Sequence, residues 1–191
     1  RGMNNVERFG KIAYSMPIRE AIDKKLILPI KPHYIKTESN TDRLSELKAI
    51  GEFVRTSFEH LEENTMLVPK MLVATQGATQ IEDFINSNTC AELIEDGVNI
   101  ITVHSNKECT TVNGKVVSRK EFNDAKNKLG KAVDAKLIVM HYDILSEGID
   151  IPGLTGVVIL RNMEMAKFLQ TIGRVIRLYR DNEELKTHGM L

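Results

Sequence analysis

Gln170-Thr171-Ile172-Gly173-Arg174-Val175-Ile176-Arg177, preceded by Asp143-Ile144-Leu145-Ser146-Glu147-Gly148-Ile149-Asp150-Ile151-Pro152, is the stretch from which the rest of the chain can be read. On a helix turning about 100° per residue, Gln170, Arg174 and Arg177 fall within an arc of about 60°. Phe168, Ile172, Val175, Ile176 and Tyr179 fall on the opposite face. With that apolar stripe buried, the helix presents two guanidinium groups and an amide together. A guanidinium is planar and carries a fork of donors that matches phosphate oxygens two at a time. Gly173 beside them has no side chain to hold a ligand away. Read alone, the same pattern also describes an ordinary surface helix with solvated arginines.

Around this segment the chain alternates strand and helix signals, which predicts a parallel sheet with helices on its faces. Leu72-Val73-Ala74 reads as a short strand, and Ala78 to Ile94 carries helical periodicity. Val98 to Val103, Leu137-Ile138-Val139-Met140 and Val157-Val158-Ile159-Leu160 read as further strands. These runs are continuously apolar rather than alternating, as a sheet covered on both faces requires. Asn113-Gly114, set between Thr111-Val112 and Val116-Val117, predicts a small β-hairpin near 111–117. Ser118 and Glu121 have the spacing of a capping box opening a helix that reaches Leu129. The expected fold class is therefore α/β, a three-layer αβα domain on a mainly parallel sheet. Residues at strand ends and helix starts are then the ones placed to meet a ligand.

In order and spacing the two opening segments resemble motifs V and VI of superfamily 2 helicases and translocases. In that family these motifs lie on the second recombinase-like (RecA-like) lobe, which closes over ATP bound to the first. The resemblance implies that Arg174 and Arg177 reach the γ-phosphate, with Arg177 as the arginine finger and Gln170 beside the phosphates or the attacking water. It also places Gly148, Asp150 and Gly173 near the nucleotide, the Asp150 carboxylate being available to a ribose hydroxyl. Standing just before Pro152, Asp150 also suits a plain turn. The Lys70 to Gln76 segment resembles motif IV, and Val103-His104-Ser105 resembles the segment after the next strand, both of which face the nucleic-acid backbone in the family. Thr75, Gln76 and Ser105 are thus expected phosphate contacts, with ordinary loop hydrogen bonding as the other reading. Tyr142 stands where most relatives carry a threonine directly before the motif V aspartate, and its phenol can donate the same bond.

Phe9-Gly10-Lys11 through Leu26-Ile27-Leu28-Pro29 resemble the crossover that leaves the first lobe in motor subunits of type I and type III restriction enzymes. Residues 1–40 are accordingly expected to connect to a first ATPase lobe and residues 41–191 to form the second lobe. The chain reaches His188-Gly189-Met190-Leu191 where a final strand would start. It holds no Gly-x-x-x-x-Gly-Lys-Ser/Thr phosphate loop and no Asp-Glu-x-Asp/His magnesium motif. ATP and Mg²⁺ are therefore expected to be held mainly by the first lobe, and hydrolysis by this chain alone to be negligible. The resemblance implies a motor lobe of an ATP-dependent DNA helicase or translocase, a restriction-enzyme motor subunit among the kinds it covers. Implied partners are DNA, with RNA left open, the first lobe of the same parent chain, and restriction-modification subunits. The alternative is a non-catalytic interaction module that keeps the lobe fold as a binding surface.

Composition agrees with one soluble globular domain: 191 residues, 42% hydrophobic and 27% charged. Lys and Arg number 26 against 26 Asp and Glu, so the overall positive footprint of an avid nucleic-acid binder is missing. Lys115 to Lys136 carries seven basic side chains against Glu121, Asp124 and Asp134, which a solvated helix face explains. Cys90 and Cys109 have no Cys-x-x-Cys spacing, so neither a zinc site nor a disulfide framework is expected, and a reducing cytoplasm is the default. The five histidines lack ligand spacing, and no metal site is expected. No apolar run approaches the ~18 residues of a membrane span, so no membrane partner is expected. Arg1-Gly2 resembles neither a signal peptide nor an initiator, as expected of a piece of a longer chain.

Overall fold

The computed structural model describes residues 15–34, 42–64, 67–104, 110–142, 151–179 and 186–191. In chain order these carry α1 (Ile18–Asp23), β1 (Ile30–Lys31), α2 (Arg43–Asn64), β2 (Lys70–Ala74), α3 (Ala78–Ile85), α4 (Asn88–Glu95) and β3 (Asn99–Val103). There follow β4 (Thr111–Val112), β5 (Lys115–Val116), α5 (Arg119–Lys131), β6 (Leu137–His141), β7 (Gly156–Ile159), α6 (Met165–Val175) and β8 (Gly189–Met190). The strands form one sheet in the order β1-β8-β7-β2-β6-β3-β4-β5. Pairing is parallel from β1 to β3 and antiparallel through β4 and β5.

The apolar strand runs explain the layering. Every residue of β2 and β6 is buried, and successive side chains of a strand point to opposite faces. Met71, Val73, Ile138 and Met140 meet Leu47, Ile50, Val54 and Phe58 of α2, Phe84 of α3 and Leu93 of α4. On the other face Leu72, Ile101, Val139 and Val157 pack with Phe122 of α5 and Val175 of α6. Burying each such side chain contributes about 1.5–3 kcal/mol, so both faces need their helices. The result is the expected three-layer α/β domain of the recombinase-like type.

Local chemistry accounts for the hairpin. Asn113 (φ 48°) and Gly114 (φ 76°) both take the left-handed conformation of a tight hairpin turn between β4 and β5. The capping box at the start of α5 is formed, Ser118 accepting from the Glu121 N–H and Glu121 accepting from the Ser118 N–H.

Three features depart from the sequence reading. The helix expected over 78–94 is two helices broken at Asn86-Ser87. Ser87 Oγ donates to the Phe84 carbonyl (2.6 Å) and accepts from the Cys90 N–H (3.2 Å), closing α3 and capping α4. The 22-residue α2, for which the sequence reading gives no expectation, packs on one face of the sheet beside α3 and α4. Its buried Leu47, Ile50, Val54, Phe58 and Leu61 recur three or four residues apart, a helical stripe that could have revealed it. Finally, residues 30–31, within the segment expected to connect two lobes, also form the edge strand beyond β8, with Ile30 opposite Gly189 and Lys31 opposite Met190. No helix among the described residues is long and apolar enough to cross a membrane.

Candidate functional site

The connection after β2 leads to α3 on the first face, whereas the chain that returns after β6 places Ile151 and Leu154 in the core of the second. Neighbouring strands whose connections leave to opposite sides open a crevice beyond their C-terminal ends. Thr75, Gln76 and Tyr142 lie there; Ser105, Gly148 and Asp150 fall outside the described residues.

Thr75 has another job than the one expected. It is fully buried, and its N–H and hydroxyl both donate to the His141 carbonyl (2.9 and 3.0 Å), fastening the end of β2 to that of β6. A threonine in that position looks the same in sequence whether its hydroxyl points inward or outward. Gln76 is exposed, and its N–H donates to Oε1 of buried Gln80, whose Nε2 donates to Glu46 Oε1 (2.6 Å). Half-buried Tyr142 is engaged by two neighbours. The His104 ring stacks with it at 5.5 Å and an interplanar angle of 28°, and the Arg161 guanidinium lies 5.0 Å from its ring centre.

Helix α6 buries Ile172 and Val175 and leaves Gln170 exposed and Arg174 half-buried. A side chain added at Gly173 would meet no described atom within 4 Å, so the surface beside Arg174 is open as expected. The helix stops sooner than its periodicity suggests: Val175 is its last residue, and Arg177 stands exposed just beyond it rather than on the helical arc. Donors from elsewhere in the chain explain the stop. Lys186 Nζ donates to the carbonyls of Val175 (2.5 Å) and Arg177 (3.0 Å), and the Leu28 N–H donates to that of Ile176 (2.8 Å). Helix-end carbonyls that a further turn would have used are thus taken. Gly189 makes this possible, because a Cβ there would stand 2.8 Å from Val175 Cγ1. Lys186 is 2% exposed. Burial lowers its pKa to about 8, while the negative end of α6 favours the cation.

A second buried lysine does the same for α5. Lys70 Nζ donates to the carbonyls of Gly130 (2.6 Å), Ala132 (2.7 Å) and Pro152 (3.4 Å). Burial lowers its pKa, with Asp134 acting in the opposite sense. Lys70 belongs to the segment resembling motif IV, yet it opens β2, at the end of the strand remote from the crevice. Elsewhere, three histidines far apart in sequence gather where β1, α2 and β8 meet. The His33 and His60 ring centres are 5.1 Å apart, and those of His60 and His188 are 6.2 Å apart. Among the described residues no group of three or more His, Cys, Asp or Glu is placed to hold a metal ion. Burial pushes the Cys90 thiol up to about 11, leaving it protonated and unreactive.

Residues 55–179 match the model of the helicase conserved C-terminal domain family, a span that includes both opening segments. Among curated proteins no sequence relative matches. Two solved structures share the fold over 98% of this chain. One is a fragment of a putative HsdR subunit of a type I restriction enzyme from Vibrio vulnificus YJ016, with TM-score 0.63, 19% identity and 36% of that chain covered. The other is the ATP-dependent Type ISP restriction-modification enzyme LlaBIII bound to DNA, with TM-score 0.59 and 15% identity. There the chain spans 13% of the larger protein.

Proposed function

The chain belongs to the helicase conserved C-terminal domain family, and from that premise we propose that it is the second motor lobe of an ATP-dependent DNA helicase or translocase. A restriction-enzyme motor subunit is the parent that fits best. The observation carrying this reading is α6, whose apolar side is buried in the lobe while Gln170, Arg174 and Arg177 stand on or just past its outward side. That donor set fits the phosphates of a nucleotide held on a facing lobe.

ATP, when bound, supplies the phosphoanhydride bond whose cleavage drives the motor. This chain supplies positive charge where negative charge builds on the transferred oxygens, a contribution worth roughly 10³ to 10⁵ in rate for an arginine finger. Arg177 is the finger, its backbone held through its own carbonyl by Lys186. Arg174 shares the charge, and the Gln170 amide orients the attacking water. Gly173 lets the nucleotide come close, as does Gly148, while Asp150 accepts from a ribose hydroxyl. Mg²⁺ in this reading is held by the first lobe. On the strand-end face Gln76 meets the DNA backbone and Tyr142 supports that contact through the side chains around its ring, Ser105 adds a further backbone contact, and Thr75 serves by holding β2 and β6 together. Closing and opening of the two lobes then shifts that face along the polymer.

The test uses the complete parent protein and its DNA-stimulated ATP hydrolysis. Arg177→Ala is expected to lower turnover by a hundredfold or more and Arg174→Ala to lower it as well. A parent that hydrolyses ATP with indifference to both changes would remove the arginines from the chemistry and favour the non-catalytic interaction module.

A further inference from the structure

We propose that His104, Tyr142 and Arg161 form one recognition row for the nucleic-acid backbone, in which Arg161 is the phosphate ligand and Tyr142 is the residue that positions it. This rests on the reading that the strand-end face meets DNA.

Register puts the three side chains in line. Val103 pairs with His141, so His104 and Tyr142 are the next residues on adjacent strands, and their rings stack at 5.5 Å. Ala74 pairs with both His141 and Ile159, so the chain segments bearing Tyr142 and Arg161 flank the end of β2 from its two sides. Two strand spacings amount to about 9.5 Å, a distance that a long arginine side chain covers. It does so here, bringing the guanidinium to 5.0 Å from the Tyr142 ring centre. The row therefore crosses the C-terminal ends of β3, β6 and β7, and passes beside buried Thr75.

The chemistry of the row selects its ligand. The Tyr142 ring already has an imidazole stacked on it and a cation over it, which disfavours stacking of a splayed base. The row carries N–H and O–H donors headed by a guanidinium, the group that matches a phosphodiester. An arginine loses side-chain entropy when it grips a ligand, and a cation–π contact of about 0.5–2 kcal/mol fixes part of that freedom beforehand. The ring, not the phenol hydroxyl, is what performs this task.

The experiment measures equilibrium binding of the parent protein to a DNA oligonucleotide across a salt series. Arg161→Gln is expected to weaken binding about tenfold and to reduce the slope of log K against log salt by about 1, as loss of one phosphate contact does. Tyr142→Ala should weaken binding with a similar loss of slope, whereas Tyr142→Phe, which keeps the ring, should bind like the parent. If Tyr142→Phe binds as weakly as Tyr142→Ala, the phenol is the ligand and the positioning role is overturned. If Arg161→Gln changes neither affinity nor slope while the parent binds DNA, the row is refuted and the motor reading stands. A parent that hydrolyses ATP without binding DNA at all would refute both. Melting curves of each variant separate these outcomes from loss of fold, and Tyr142→Phe and Arg161→Gln preserve most of the packing.

Discussion

At the C-terminal end of α6, three carbonyls are met by a buried ammonium and a backbone N–H from distant parts of the chain. At the C-terminal ends of β3, β6 and β7, half-buried side chains touch through a ring stack and a cation over a ring. The first arrangement is directional and centred on a buried ammonium; the second tolerates small shifts. That difference suits the two proposed tasks. A finger that must meet a developing charge loses about a hundredfold in rate for an ångström of misplacement, so its backbone has to be pinned. A face that steps along a polymer has to release and regrip, which contacts of about 0.5–2 kcal/mol allow.

Lys186 offers the strongest way to break this comparison. Lys186→Met should leave the Val175 and Arg177 carbonyls unsatisfied, costing about 2 kcal/mol of stability once relief of the buried charge is counted. For a domain of this size that lowers the melting temperature by about 4–8 °C. Turnover of the parent should fall about tenfold with DNA affinity unchanged, since it is the anchor of Arg177 that is lost. The lysine also predicts a pH signature. Its pKa is about 8 in the fold against 10.5 for an ordinary lysine, so between these values the unfolded chain binds more protons. Stability should therefore rise from pH 8 towards 10.5 in the parent, and that rise should be shallower in Lys186→Met. Chemical denaturation at several pH values measures both.

Gly189→Ala tests the same region without touching charge. Its Cβ would stand 2.8 Å from Val175 Cγ1 and 3.1 Å from the Val175 carbonyl, so β8 and α6 must separate. Overpacking of this kind costs about 1–3 kcal/mol, and urea unfolding should show it. An unchanged midpoint would mean that the α6 end is not tightly held, and the comparison would lose its rigid side. A smaller effect is expected at the histidine cluster. His188 has its pKa lowered by burial first and then by Lys31, His60, His33 and Lys186, and His33 is lowered in the same direction. Groups whose folded pKa lies below 6.5 take up protons more readily when unfolded. Stability should thus be flat just above that pH and fall as the pH drops below it, with His188→Gln reducing the fall.

The legible parts of this molecule were those governed by local chemistry. Continuous apolar runs marked the central strands, Asn113-Gly114 marked the hairpin, and Ser118 with Glu121 marked the cap of α5, because each depends on neighbours in sequence. The end of α6 was not legible, since it is decided by Lys186 and Leu28. The same holds for Lys70, which in sequence is one more lysine before a strand, and for the inward turn of Thr75. Arg161 carried no pattern of its own; only the register of β6, β2 and β7 brings it to Tyr142. Helical spacing placed Gln170 and Arg174 on α6 but put Arg177 on the same arc, whereas the helix ends at Val175 and Arg177 lies beyond it.

The division between the pinned finger and the adaptable row is tested most directly by ATP hydrolysis of the parent protein as a function of DNA concentration, for Arg177→Ala beside Arg161→Gln. The account predicts that Arg177→Ala collapses turnover at saturating DNA with the half-saturating concentration little changed, and that Arg161→Gln raises that concentration about tenfold with turnover preserved. If both substitutions alter the same parameter, the two regions do not divide the work and the account is contradicted.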